Sequence, residues 1–246
     1  MKRISIVGLC LMAVFALGAF AASGASADLK AQLAGGGSIV GTTFLSSATL
    51  PLLWTHGGKE IHCKHATNHG KFLSATLGNV LIRFLGCTAP NGLGGRAACN
   101  TANAGSEEIH LSLETLFHLG LAHLNINTGK IPALVVLTGK NIVITCGGII
   151  KIEVRGNVIG ALQRGGTAVP LNTAFEDVNL NFQQTANGLQ HLRLILMPGT
   201  TELTTYDLES SFGGGAFELA SEVANVLLDG FTTSAGAATS IELVEP

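Results

Sequence analysis

Charge is scarce in this chain. Asp, Glu, Lys and Arg make up 12% of its 246 residues, and the formal net charge is −2. Nucleic acid and anionic membrane both select for clustered basic side chains, and no such cluster is present. Trp and Tyr occur once each, which counts against the aromatic girdles of an outer-membrane barrel and the stacking platform of a single-strand binder. Fixed-spacing catalytic signatures are missing as well: there is no Gly-x-Ser-x-Gly elbow, no His-Glu-x-x-His, no EF-hand loop and no phosphate loop. Gly92-Leu93-Gly94-Gly95 echoes a dinucleotide fingerprint without the strand-helix setting that the fingerprint needs. Beyond the first residues no run of about eighteen apolar residues recurs, so a second membrane span is not expected.

What is there begins with the N-terminus. Lys2 and Arg3 precede an apolar run from Ile4 to Ala22, and Ala25-Ser26-Ala27 supplies the small-x-small pattern read by signal peptidase. This order predicts a secretory signal peptide over 1–27 and a mature domain over 28–246, secreted or cell-surface associated, with a subdivision near 146–165 left open. Cys10 lies inside the apolar run behind Leu9, which fits a lipoprotein site poorly. Loss of Lys2 and Arg3 leaves twelve basic against sixteen acidic side chains, a mature charge of −4.

Cys63, Cys87, Cys99 and Cys146 then remain, an even set in an exported chain where disulfides persist. Four cysteines allow three connectivities. The expected pairing is Cys87 with Cys99, across the Gly-rich stretch that follows a strand end, and Cys63 with Cys146.

Thirty-two glycines, with many Thr, Leu and Ile, suit sheets with tight turns. Strands are predicted at 38–47, 79–87, 107–125, 131–138, 141–146, 149–161, 175–182, 189–197, 201–208, 217–228 and 241–244. Residues 52–63 read as a hairpin turning at Gly57-Gly58, and 88–106 as a long pinned loop. In 107–125, Leu111, Leu113, Phe117, Leu119 and Leu121 alternate with His110, Ser112, Glu114 and His118, the period of two that marks a strand with one buried face. Asn127-Thr128-Gly129-Lys130 turns the chain into the next strand. The fold class is all-β, an antiparallel β-sandwich or barrel-like fold stabilised by disulfides.

The leader, Ile61-His62-Cys63, Phe84-Leu85-Gly86-Cys87, Gly105-Ser106-Glu107-Glu108-Ile109, Cys146-Gly147-Gly148 and above all Val154-Arg155-Gly156-Asn157-Val158-Ile159-Gly160 resemble a large group of exported actinobacterial β-rich proteins that commonly read VRGSVIG at the last position. The resemblance covers most of the mature chain and implies no activity, so no functional residue is carried over. That group usually has Ser and Thr around the first cysteine, where this chain has His62, His65 and His69.

Those histidines, with His56 and Cys63, fall within fourteen residues, and imidazole is the commonest metal ligand. A zinc or copper site from His62, His65 and His69 is one expectation; exposed strand and loop residues are the plainer one. A two-residue turn at Gly57-Gly58 pairs Leu53 with His62 and Trp54 with Ile61. His62 then shares a face with Thr55 and Glu60, and His56 shares the other with Trp54, Ile61 and Cys63. His118 and His123 point to opposite faces of one strand, His123 on the core side. His110 and His191 lack an obvious partner. Glu107-Glu108 and Glu176-Asp177 are neighbours on strands and face apart, so neither is a ready acid/base pair.

The expected function is therefore a non-catalytic exported β protein, a structural or binding module at the cell envelope with a carbohydrate or protein partner. The alternatives are an extracytoplasmic metal-binding protein and a secreted hydrolase whose triad is assembled from distant loops.

Overall fold

A computed structural model describes residues 29–245 apart from 56, 112–114, 124–129, 138, 140, 188 and 201. The segment 1–27 expected to be a signal peptide, Cys10, His56, Ser112, Leu113, Glu114 and the expected turn residues Asn127, Thr128 and Gly129 lie outside the described residues.

The described chain is all-β. The first strands are β1 (Lys30–Leu33), β2 (Thr43–Thr49), β3 (Leu52–Thr55), β4 (Glu60–His62), β5 (His65–Phe72), β6 (Leu77–Leu85) and β7 (Thr88–Pro90). Next come β8 (Arg96–Thr101), β9 (Glu108–Leu111), β10 (Leu116–His123), β11 (Ile131–Leu137), β12 (Ile142–Cys146), β13 (Ile150–Arg164) and β14 (Thr167–Ala168). The last are β15 (Ala174–Phe175), β16 (Val178–Phe182), β17 (Leu194–Leu196), β18 (Leu203–Thr205), β19 (Leu208–Phe212), β20 (Glu218–Thr232) and β21 (Ile241–Val244).

Most of these are segments of eight longer antiparallel paths. β2 and β3 lie end to end along β20, with Ala48 opposite Val226 and Leu52 opposite Val223. β4 and β5 follow them back, then β6 and β7, then β8, β9 and β10. β11 and β12 form the fifth path and β13 the sixth. β16 and β19 together make the seventh, each paired to β13 on one side and to β20 on the other. Because β20 pairs onward to β2 and β3, the sheet closes into an eight-path up-and-down barrel. At this strand number a barrel's interior either just fills with side chains or holds one small ligand.

The paths are interrupted near a common level, while β13 and β20 run through. Backbone bonds bridge the interruptions: Leu50 N–H donates to the Lys64 carbonyl at 2.9 Å, Cys63 to Pro51 at 3.0 Å, and Lys64 to Leu85 at 2.9 Å. In β13 the level is marked by Gly156, whose φ of +95° suits glycine. A Cβ there would overlap the Asp207 carbonyl oxygen, and the adjacent Asn157 N–H donates to that same oxygen at 2.9 Å.

One barrel end carries interlocked rings: Phe44, Phe72, Phe117 and Phe231 pack with centroids 5.3–6.0 Å apart. A three-stranded sheet, in the order β1-β21-β15, stands over that end, with Phe175 against Phe231 and Ala31 N–H bonded to the Ala75 carbonyl. Between β16 and β19 the chain makes an excursion in which β17 pairs with β10. Its Leu192 and Ile195 cover the outer side of Ala122, Ala133, Val135, Ile159 and Ala161 as a second core. β10, β11 and β13 are thus buried on both faces there, which is why their apolar runs exceed simple alternation.

Several sequence expectations are corrected. Residues 38–42 form a turn at Gly41 (φ +86°), so the first strands are β1 and β2 on either side of it. The expected loop over 88–106 instead contains the hairpin β7–β8. Its turn is built by Asn91, whose side-chain oxygen accepts the Leu93 and Gly95 N–H groups at 3.0 Å. β21 sits where a strand was expected but in the small sheet, not the main one. The strand expected over 149–161 is present as β13, which runs on to Arg164 and pairs with β11, β12, β16 and β19.

The disulfides are Cys63–Cys87 and Cys99–Cys146, not Cys87–Cys99 with Cys63–Cys146. The register explains this. His62 opposes Thr88, Thr88 opposes Ala98 and Cys146 opposes Cys99, so the four cysteines form a row across four adjacent paths. Its two ends, Cys63 and Cys146, are three paths or about 14 Å apart, beyond disulfide reach. Only the observed pairing joins neighbours and uses all four.

Candidate functional site

The barrel encloses a cavity of about 130 Å³. Alternation alone builds its wall, because every second residue of each path points inward. β2 contributes Phe44, Ser46 and Ala48; β6 contributes Val80, Ile82 and Phe84; β20 contributes Glu222, Val226 and Leu228. Side chains from the other paths complete a lining whose polar groups, among the described residues, are Ser46, Asn68 and Glu222, the rest being almost wholly aliphatic and aromatic.

Ser46 and Asn68 are cross-strand partners, and the Asn68 amide donates to Ser46 Oγ at 2.9 Å. Asn68 Oδ1 is buried without a hydrogen-bond donor among the described residues. Glu222 lies further along the wall: it opposes Leu53, whereas Leu228 opposes Ser46. Six residues of β20, about 20 Å along the strand, separate the two polar stations.

Glu222 is half-buried, and it lines the cavity. Burial pushes its carboxyl up to about 7, since a carboxylate in apolar surroundings loses its hydration. Among the described residues no cation or hydrogen-bond donor offsets this, and Glu222 is the sole ionisable side chain of the lining.

The histidines expected to bind metal are not gathered. Among the described residues no group of three His, Cys, Asp or Glu side chains is placed to hold an ion. His65 and His69 share the exposed face of β5, but four strand residues separate them by about 13 Å. His62, also exposed, pairs with Glu60 at 2.8 Å, and Arg96 reaches the same carboxylate at 3.3 Å. The His62 hydrogen bond and then Arg96 hold the Glu60 carboxyl below its ordinary range. Cys63 is in a disulfide and does not ligate.

The hairpin register also differs from expectation. Trp54 opposes Glu60 and Leu53 opposes Ile61, because Thr55 N–H bonds the Lys59 carbonyl at 2.9 Å and the loop therefore holds three residues. Trp54 thus stands on the outer face with Glu60 and His62, while Thr55, Ile61 and Cys63 turn inward.

The remaining candidates are distributed over the barrel. His110 has a partner after all, Glu108 at 3.0 Å. His123 is buried as expected, with Nδ1 unpaired, and burial lowers the His118 imidazole. Asp177 meets Arg164 at 3.5 Å, and Glu107 occupies a positive-φ turn position.

Glu222 is what sequence reasoning missed. Ala220, Ala224, Val226 and Leu228 share its parity, so a lone acid on an apolar stripe was there to be read. Leu219, Val223 and Leu227 put apolar side chains on the opposite face as well, which hides the inward side. No protein-family model matches the chain, nor does any curated protein or solved structure.

Proposed function

We propose that this chain is an exported, non-catalytic binding protein whose barrel interior takes one small apolar molecule. The observation that carries the reading is the cavity. A space of about 130 Å³ walled by aliphatic and aromatic side chains approaches the roughly 150 Å³ apolar cavity known to stay dry and to accept a benzene-sized guest. Export is supported by the leader pattern and by two disulfides that suit an oxidising compartment. The absence of a fixed-spacing catalytic motif supports the binding role.

The test is toluene titration of the oxidised protein followed by methyl NMR. Saturable shifts confined to lining methyls such as those of Val80, Ile144 and Val226 are expected, with none at the outward Val143. Unchanged lining methyls at the solubility limit of toluene would refute the reading.

A further inference from the structure

The cavity holds an unpaired acid, and this constrains its guest. Resting on the binding role proposed above, we infer that the guest is a small apolar amine, its ammonium group seated on the Glu222 carboxylate and its hydrocarbon packed along the barrel wall. Among the described residues the lining leaves acceptors unfilled. Asn68 Oδ1 has no donor, and Glu222 has neither donor nor cation among the described residues. An anionic guest would meet a second acid in an apolar enclosure, and a hydrocarbon would leave the carboxyl as unpaired as before. An ammonium group brings a positive charge and three donors to a carboxylate that accepts at both oxygens. Enclosure strengthens that attraction, and the pair meets the condition under which buried charges are tolerated, namely that each is paired and hydrogen-bonded.

Size limits the guest in the same way. The volume admits one ring or a short chain, and the roughly 20 Å between Glu222 and the Ser46–Asn68 pair is more than such a molecule spans. The guest therefore docks at Glu222 alone.

Binding carries a proton signature. Leu53 opposes Glu222 on β3, and the other side chains that line the cavity with it, among them Ile61, Ile144, Val154, Phe182 and Leu208, do not titrate. Glu222 is half protonated near pH 7 when the cavity is empty, so an ammonium guest must displace its proton.

The experiment is calorimetric titration of the full oxidised chain with benzylamine and, in parallel, methyl NMR titration with toluene. Benzylamine affinity should rise about tenfold from pH 6 to pH 8, with close to one proton released per guest at pH 6 when buffers of different ionisation heat are compared. Toluene affinity should not change over that range. In Glu222→Gln the pH dependence and proton release of benzylamine binding should disappear. Should toluene bind while benzylamine does not, or binds without proton release, the amine inference falls and the cavity reading stands. If neither binds, both fall.

Discussion

One carboxyl group in the barrel wall ties stability strongly to pH. Glu222 titrates near 7 in the folded chain, against an ordinary 4.5. The folded state therefore binds more protons than the unfolded state between those values, and stability falls as pH rises from about 4.5 through 7, then levels off. The loss amounts to about 3 kcal/mol. Glu222→Gln keeps the shape and removes this titration, so the decline of the parent's urea midpoint from pH 5 to 8 should be absent from the variant, leaving only the opposite contribution of His118, whose imidazole is lowered by burial. The residue was in plain view in the sequence, but the apolar residues on both parities of β20 concealed which face it occupied. The histidines misled for the converse reason: density along the chain is not density in space when a strand advances about 3.3 Å per residue.

At the scale of elements, β13 depends on one position. Gly156→Ala places a methyl group against the Asp207 carbonyl and asks an L-residue to hold φ +95°. Destabilisation by more than about 2 kcal/mol is expected, read as a lowered urea midpoint. Gly148→Ala is the control: its φ of +72° is also positive but nothing lies within 4 Å of a Cβ there. That substitution should cost about 1 kcal/mol, the left-handed strain alone. The sequence located most strands because alternation and glycine punctuation are local signals. It gave the wrong register for the 52–63 hairpin because Thr55, through its backbone and hydroxyl, closes a three-residue loop around Lys59. It missed the β7–β8 hairpin because β7 is only three residues, ends in Pro90 and runs into the Gly- and Asn-rich turn from Asn91, which together carry too little pattern to separate from a loop.

At the scale of the whole molecule, barrel closure and the cysteine row were not legible, since both are set by which path lies beside which. The two disulfides close segments with separations of 24 and 47 residues. In the chain-entropy picture these contribute about 3.5 and 4 kcal/mol. Replacing both cysteines of one pair by alanine should lower the unfolding free energy by those amounts, the Cys99–Cys146 pair more. Equal losses, or a larger loss for Cys63–Cys87, would show that strain or residual unfolded structure outweighs loop length.

The cystine row also fixes what a protease can do to the molecule. A backbone cut anywhere between Cys63 and Cys87, or between Cys99 and Cys146, leaves both fragments joined through sulfur. The β5–β6 turn and the whole stretch from β9 to β11 can thus be nicked without releasing a piece. Such a molecule migrates as one band on a non-reducing gel and as two after thiol treatment, a form of wear that a chain held by two disulfides can absorb.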